Sequence, residues 1–258
     1  MAKFVIALLL TFYSSLSFCC DESAAKSFLA KLKWQTEDYP PYNYLNSSDE
    51  LVGIFPEVLT LIYNKLDINL NIQNIAVVPW ARLLQSVKHY PDYAAFSMVT
   101  TMERAQTYQL VPLPVVTKIS IMVLNQNKSV INNKKLDELI IAVVRGDIGQ
   151  DLLNSQNILA AQTETTSAFG MLQMLIYQRV DAVAYSEDVT YFQLEKLDLK
   201  NNAITPIYSL SDQSFINYVF HKNTPDCVIN IFEETITELN EERKLKPVWQ
   251  KHFKSKNG

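Results

Sequence analysis

From Lys31 onward the chain alternates short apolar runs with stretches of helical period, and this alternation constrains the fold more than any other feature. "LKWQTE" reads as a strand leading into the turn "DYPPYNY", where paired prolines forbid a regular helix. "GIFPEVLTLIYNKL" puts Phe55, Val58, Leu59, Ile62 and Leu66 on one helical stripe, with Pro56 tolerated in the first turn. "INLNIQNIAV" alternates as a strand does, "WARLLQSVKH" returns to helix, and "DYAAFSMV" is a buried strand. Strand, helix, strand, helix, strand is the pattern of an α/β layer with a parallel core sheet.

The second half repeats the scheme. "KISIMVLNQN" is a strongly apolar strand, and "KKLDELIIAVVRGDIGQDLLN" holds a short helix, a strand and a Gly-bearing turn. "TSAFGMLQMLIYQRVDAVAYS" is a helix leading into a strand; Met171, Leu172, Leu175 and Ile176 form its stripe and Gly170 weakens it. "QSFINYVFHKN" is a further strand. The tail from Pro225 sets Val228, Ile231, Phe232, Ile236 and Leu239 at helical spacing and predicts an amphipathic helix ending near Lys246-Pro247. With 48% hydrophobic and 19% charged residues in 258, the chain has enough apolar material for one large domain or for two lobes, each with its own core.

The first 20 residues, "MAKFVIALLLTFYSSLSFCC", pair one Lys with an apolar stretch and then small residues, the pattern of a secretory signal peptide. The apolar run is shorter than the roughly 20 residues that span a bilayer. Export is therefore expected, with a lipid on Cys19 or Cys20 the less favoured outcome because Phe and Cys stand where a lipidation box wants small residues. Two of the three cysteines lie at this junction, so Cys227 is expected to have no intramolecular partner. His89, His221 and His252 show no metal-ligand spacing, and no metal or cofactor is expected. Beyond the leader, 22 basic side chains face 27 acidic ones with no basic stripe, which argues against nucleic acid.

In order and spacing, "YPPYNY", "LVGIFPEVL", "PWARLLQSV", "DYAAFSMVTTMER", "IAVVRGDIGQDLL", "RVDAVAYSED" and "INYVFHKN" together resemble the family 3 periplasmic solute-binding proteins, receptors of polar amino-acid uptake systems. The resemblance covers roughly residues 30 to 255. It implies an α/β, two-lobed periplasmic-binding-protein fold of type II, each lobe a mixed, mostly parallel sheet flanked by helices. Lobe 1 would be about residues 30–115 plus 210–258 and lobe 2 about 116–209, joined by hinge segments near "VPLPVVTK" and "IYSLSDQS".

The resemblance also nominates a site. Arg104, which from its own surroundings reads first as a solvated first-turn charge, falls where the family grips a ligand carboxylate. A guanidinium suits this because its fork donates two parallel hydrogen bonds and stays charged. Ser97, Thr100 and Thr101 would add hydroxyl or amide contacts at a strand-to-helix junction. Trp80 and Tyr39 would form aromatic walls, and Arg82 would be a lesser second anion contact.

Departures from the family pattern bear on the ligand. A family serine falls on Val99, the lobe 2 "GST"-type turn reads Gly146-Asp147-Ile148, and the aspartate that receives the ligand ammonium falls on Ser186. Asp147, Glu187 or Asp188 could replace that aspartate only if the backbone turns them inward. The expected function is binding without chemistry: a monomer that captures a small carboxylate-bearing solute, an amino acid or a relative, for a membrane permease of an ABC transporter. The alternative is a dehydratase-like enzyme on the same fold, with Glu187 or Asp147 drafted as the acid.

Overall fold

The computed structural model describes residues 21–197 and 199–253, so the expected leader and the lipid on Cys19 or Cys20 lie outside the described residues. Helix α1 (Glu22–Leu29) opens the fold, capped by Asp21, whose carboxylate accepts from the Ala24 N–H at 2.7 Å. There follow β1 (Lys33–Thr36), the small hairpin β2 (Tyr44–Leu45) and β3 (Leu51–Val52), α2 (Ile54–Lys65), β4 (Ala76–Val77), α3 (Trp80–His89), β5 (Tyr93–Val99), α4 (Met102–Thr107) and β6 (Tyr108–Leu124). The rest of the chain forms α5 (Lys128–Ile131), β7 (Ile140–Val144), α6 (Ile148–Ser155), β8 (Ala161–Thr165), α7 (Ala168–Ile176), β9 (Ala182–Ser186), α8 (Glu187–Lys196), β10 (Ile204–His221), α9 (Asp226–Glu241) and α10 (Lys246–His252).

Eight strands make one sheet in the order β4-β1-β5-β10-β6-β9-β7-β8. It is parallel within each wing, where β1 pairs with β4 and β5, and β7 pairs with β8 and β9. The long antiparallel strands β6 and β10 join the wings: the end of β10 holds β5, and the end of β6 holds β9. Their mutual register slips repeatedly between Pro206 and Asn217, a stretch that includes the expected hinge segment "IYSLSDQS". This is the mixed α/β, two-lobed architecture expected.

Each lobe buries its own apolar face. In the first, Trp34 of β1 meets Tyr63, Phe96, Tyr218, Phe220 and Phe232 at ring separations of 5.6 to 6.3 Å, which packs α2 and α9 against the sheet. In the second, α6 lies so close on β9 that a Cβ at Gly149 would stand 1.9 Å from the Ala184 carbonyl oxygen. Gly149→Ala is therefore expected to lower stability by about 1–3 kcal/mol through overpacking, read as a lower urea midpoint. An unchanged midpoint would mean that this helix is free to shift.

Several expectations change. "INLNIQNIAV" yields only the short strand β4, because Asn71 accepts from the Gln73 N–H at 3.0 Å and winds Ile72–Asn74 into a tight turn. Pro247 does not close the last helix but opens α10, where its missing N–H costs nothing. Cys227, expected to be unpaired, is disulfide-bonded; the chain's other two cysteines are Cys19 and Cys20.

Candidate ligand-binding site

The carboxyl ends of β1 and β5 in one lobe face those of β7 and β9 in the other, the position where open α/β sheets place their ligands. On the first lobe, β1 runs out through Glu37 into a loop closed by Tyr39 N–H to Asn43 carbonyl, 2.7 Å, and Asn43 Nδ2–H to Glu37 carbonyl, 2.6 Å. Beside it, Phe96 pairs with Tyr218 and Met98 with Asn217, so Ser97 is an extra residue bulged out of β5. Its φ of +68° puts a serine in the left-handed region, and the bulge turns its hydroxyl onto Asn43 Oδ1. Asn217 Nδ2 then donates to the Met98 carbonyl and the Thr100 hydroxyl, both at 2.8 Å.

Helix α4 starts at Thr101, whose hydroxyl accepts from the Arg104 N–H at 3.1 Å. Arg104 itself is only 5% exposed. Its guanidinium donates to the Val99 carbonyl at 3.0 Å in its own lobe and crosses to the Gly146 carbonyl at 3.1 Å in the other. It also reaches Asp151 at 3.0 Å and Asp147 at 3.9 Å, and lies 5.2 Å over the Trp80 ring. Trp80 is equally buried, and its indole N–H donates to the same Gly146 carbonyl at 2.8 Å.

That carbonyl is presented by the turn after β7, where Gly146 takes a φ of +69° that suits glycine and its N–H binds Gln150. Asp147 stands at the start of α6 but does not cap it; the carboxylate points into the contact between lobes, with Oδ2 unpartnered. Burial pushes its pKa up to about 6 against the pull of Arg104. Glu37 is also buried and is held well above the usual carboxylate range, by desolvation first and by the nearby Asp147 second. Asp151, less buried, is raised by desolvation with Arg104 opposing.

The rings of Tyr39 and Tyr185 close the site edge to face, with centroids 5.8 Å apart. Both hydroxyls are buried without a well-aligned partner, and both feel the charges of Glu37 and Asp147. Ser186 is spent on structure: its hydroxyl lies 2.7 Å from Thr117 Oγ1 and accepts from Val189 N–H at the start of α8. Glu187 accepts from Ser120 at 2.6 Å and Asp188 from the Tyr42 hydroxyl at 2.9 Å, so their contacts lie away from Arg104.

The structure thus brings Arg104, Trp80, Tyr39 and Asp147 together, with Ser97 behind them through Asn43 and Ser186 bordering Tyr39. Arg82 is exposed, roughly 200° around α3 from Trp80, and does not join them. Thr100 is exposed and bound to Asn217, and Thr101 serves as a cap. Glu37, Asp151 and Tyr185 complete the constellation. In the sequence only Glu37 carries a signal, as a carboxylate directly after a buried strand.

A separate groove of about 620 Å³ runs between Pro41 and Phe253 on one side and Glu187, Asp188, Tyr191 and Phe192 on the other. Its carboxylates are engaged, Glu187 with Ser120, Asp188 with Tyr42 and Glu195 with Asn201, whereas Asp147 Oδ2 beside Arg104 has no partner.

The model of the "bacterial extracellular solute-binding proteins, family 3" matches residues 32–255. No curated protein matches the chain significantly in sequence. Among solved structures, an amino acid ABC transporter substrate-binding protein from Streptococcus pneumoniae bound to L-arginine superposes with a TM-score of 0.73 at 18% identity, covering 90% of this chain and 98% of its own. The substrate-binding protein of another amino acid ABC transporter gives 0.71 at 18% identity, covering 86% and 99%. A histidine kinase sensor domain with similarity to periplasmic binding proteins gives 0.74 at 13% identity, covering 86% and 95%. At these identities the likeness speaks for the fold alone.

Proposed function

Because this chain belongs to the bacterial extracellular solute-binding proteins of family 3, we propose that it captures a small polar solute between its lobes and delivers it to the membrane permease of an ABC transporter. The lobes are residues 30–115 plus 210–258 and residues 116–209, hinged near 111–118 and 207–214. The observation that carries this reading is the convergence of Arg104 and Trp80 from one lobe on Gly146, Asp147 and Asp151 of the other. Groups so placed engage a ligand from both sides, and a ligand that favours the closed arrangement shifts the hinge toward it.

The solute carries a carboxylate, as an amino acid or a relative does, and Arg104 receives it in place of the Asp151 carboxylate. No bond is made or broken. The protein acts as an exported monomer, and none of its described helices is long and apolar enough to cross a membrane. A thermal-shift screen of amino acids, dicarboxylates, amines and small peptides on the mature protein tests the reading. A ligand at 100 times its Kd should add about 2.7 kcal/mol of stability. A flat response across all four classes would sink it.

A further inference from the structure

The contact between the lobes is out of charge balance. One cation, Arg104, meets three carboxylates, Glu37, Asp147 and Asp151. Asp151 takes the guanidinium directly at 3.0 Å, while Asp147 stands off at 3.9 Å with one oxygen unpartnered and Glu37 feels its neighbours only through space. Two backbone carbonyls occupy further N–H groups of the guanidinium. A ligand carboxylate therefore has to displace a protein carboxylate, an exchange that returns little net energy.

The opposite charge meets open capacity. Asp147 Oδ2 is buried with no partner and the hydroxyls of Tyr39 and Tyr185 are buried without a well-aligned one, while Glu37 adds a fourth acceptor group close by. Burying ionised carboxylates without a cation costs several kcal/mol, and an incoming cation would recover that energy while lying against aromatic rings. Ser186, already engaged with Thr117 and the start of α8, has neither the charge nor the free hydroxyl for the role.

We propose that the cleft is built around the positively charged group of its ligand, an organic ammonium or guanidinium clamped between Glu37 of one lobe and Asp147 of the other, with Asp151 making Arg104 the weaker handle. This rests on the solute-binding reading and specifies which pole of the solute dominates. Because the clamping carboxylates come from different lobes, the cation closes the hinge as it binds.

Three probes separate the poles: L-arginine, agmatine, which is the same skeleton without its carboxylate, and glutarate, which has carboxylates and no cation. Calorimetric titration of the mature protein should find agmatine within about 10-fold of L-arginine and glutarate far weaker. Glu37→Gln and Asp147→Asn should each weaken agmatine by about 10-fold or more. The same variants, free of ligand, should melt no lower than the wild type, since each replaces a buried carboxyl group whose ionisation burial disfavours with a neutral amide of the same shape. Asp151→Asn should strengthen L-arginine more than agmatine. Binding of glutarate in preference to agmatine, or agmatine binding indifferent to both Glu37→Gln and Asp147→Asn, would overturn the proposal and leave the solute-binding reading standing. Millimolar concentrations of all three probes without binding would overturn the cation proposal, and a flat wider screen would overturn both.

Discussion

Arg104→Ala is expected to cost the closed arrangement about 3–5 kcal/mol, because removing the one cation leaves its buried carboxylate partners uncompensated. The side chain does three jobs at once. It ties off the end of β5 at the Val99 carbonyl, crosses the cleft to Gly146, and neutralises Asp151 and part of the charge on Asp147. Alanine can do none of these. Neither lobe's aromatic core involves Arg104, so the expected response is opening of the cleft rather than unfolding. X-ray scattering of the ligand-free variant should show a larger radius of gyration with an unchanged far-ultraviolet circular dichroism spectrum. A carboxylate solute found in the screen should lose only about 1.5–3 kcal/mol of affinity, because Asp151 competes with it for the guanidinium. Unaltered scattering with unaltered affinity would show the arginine to be incidental.

The second large effect is one of pH. Asp147 holds its proton in the closed form up to about pH 6, against an ordinary carboxylate value of 3.8, and Glu37 is displaced in the same direction. A raised carboxylate pKa means that the closed form binds more protons than the open or unfolded one. Stability of the closed form is thus full below about pH 4, falls as pH rises toward 6, and stays reduced above it. Asp147 alone accounts for about 3 kcal/mol of that loss. Asp147→Asn should therefore favour the closed, ligand-free form by about 3 kcal/mol at pH 7.5 and by little at pH 4. Scattering across that range is the measurement: the wild type should expand as pH rises and Asp147→Asn should expand less. Identical curves would place the carboxylate in water, outside the cleft.

The order of strands and helices is legible in the sequence because period and turn chemistry are local properties. Local competition also explains the failure at Ile68–Val77: alternation alone reads as a strand, but the Asn71 side chain bonds the backbone just beyond it and curls the chain. Arg104, Trp80, Tyr39 and Asp147 can be nominated from motif positions. Asp151 cannot, since its meaning comes from facing an arginine 47 positions away across a gap between lobes. Tyr185 reads as an ordinary strand aromatic until Tyr39 is set against it. Ser97 depends on a single extra residue in the pairing of β5 with β10, and register is not written in composition. The Cys227 disulfide escaped because spacing says nothing of which cysteines meet in space.

The shared strands β6 and β10 carry a mechanical consequence. A molecule of two lobes joined by loose tethers could lose one lobe and keep the other. Here each lobe's sheet ends on a strand that continues as part of its neighbour's, so melting one lobe strips the backbone partner from an edge of the other. The lobes are coupled in stability even while the slipped pairing between Pro206 and Asn217 leaves them free to bend. The same ribbon is a flexure for motion and a splice for cooperativity.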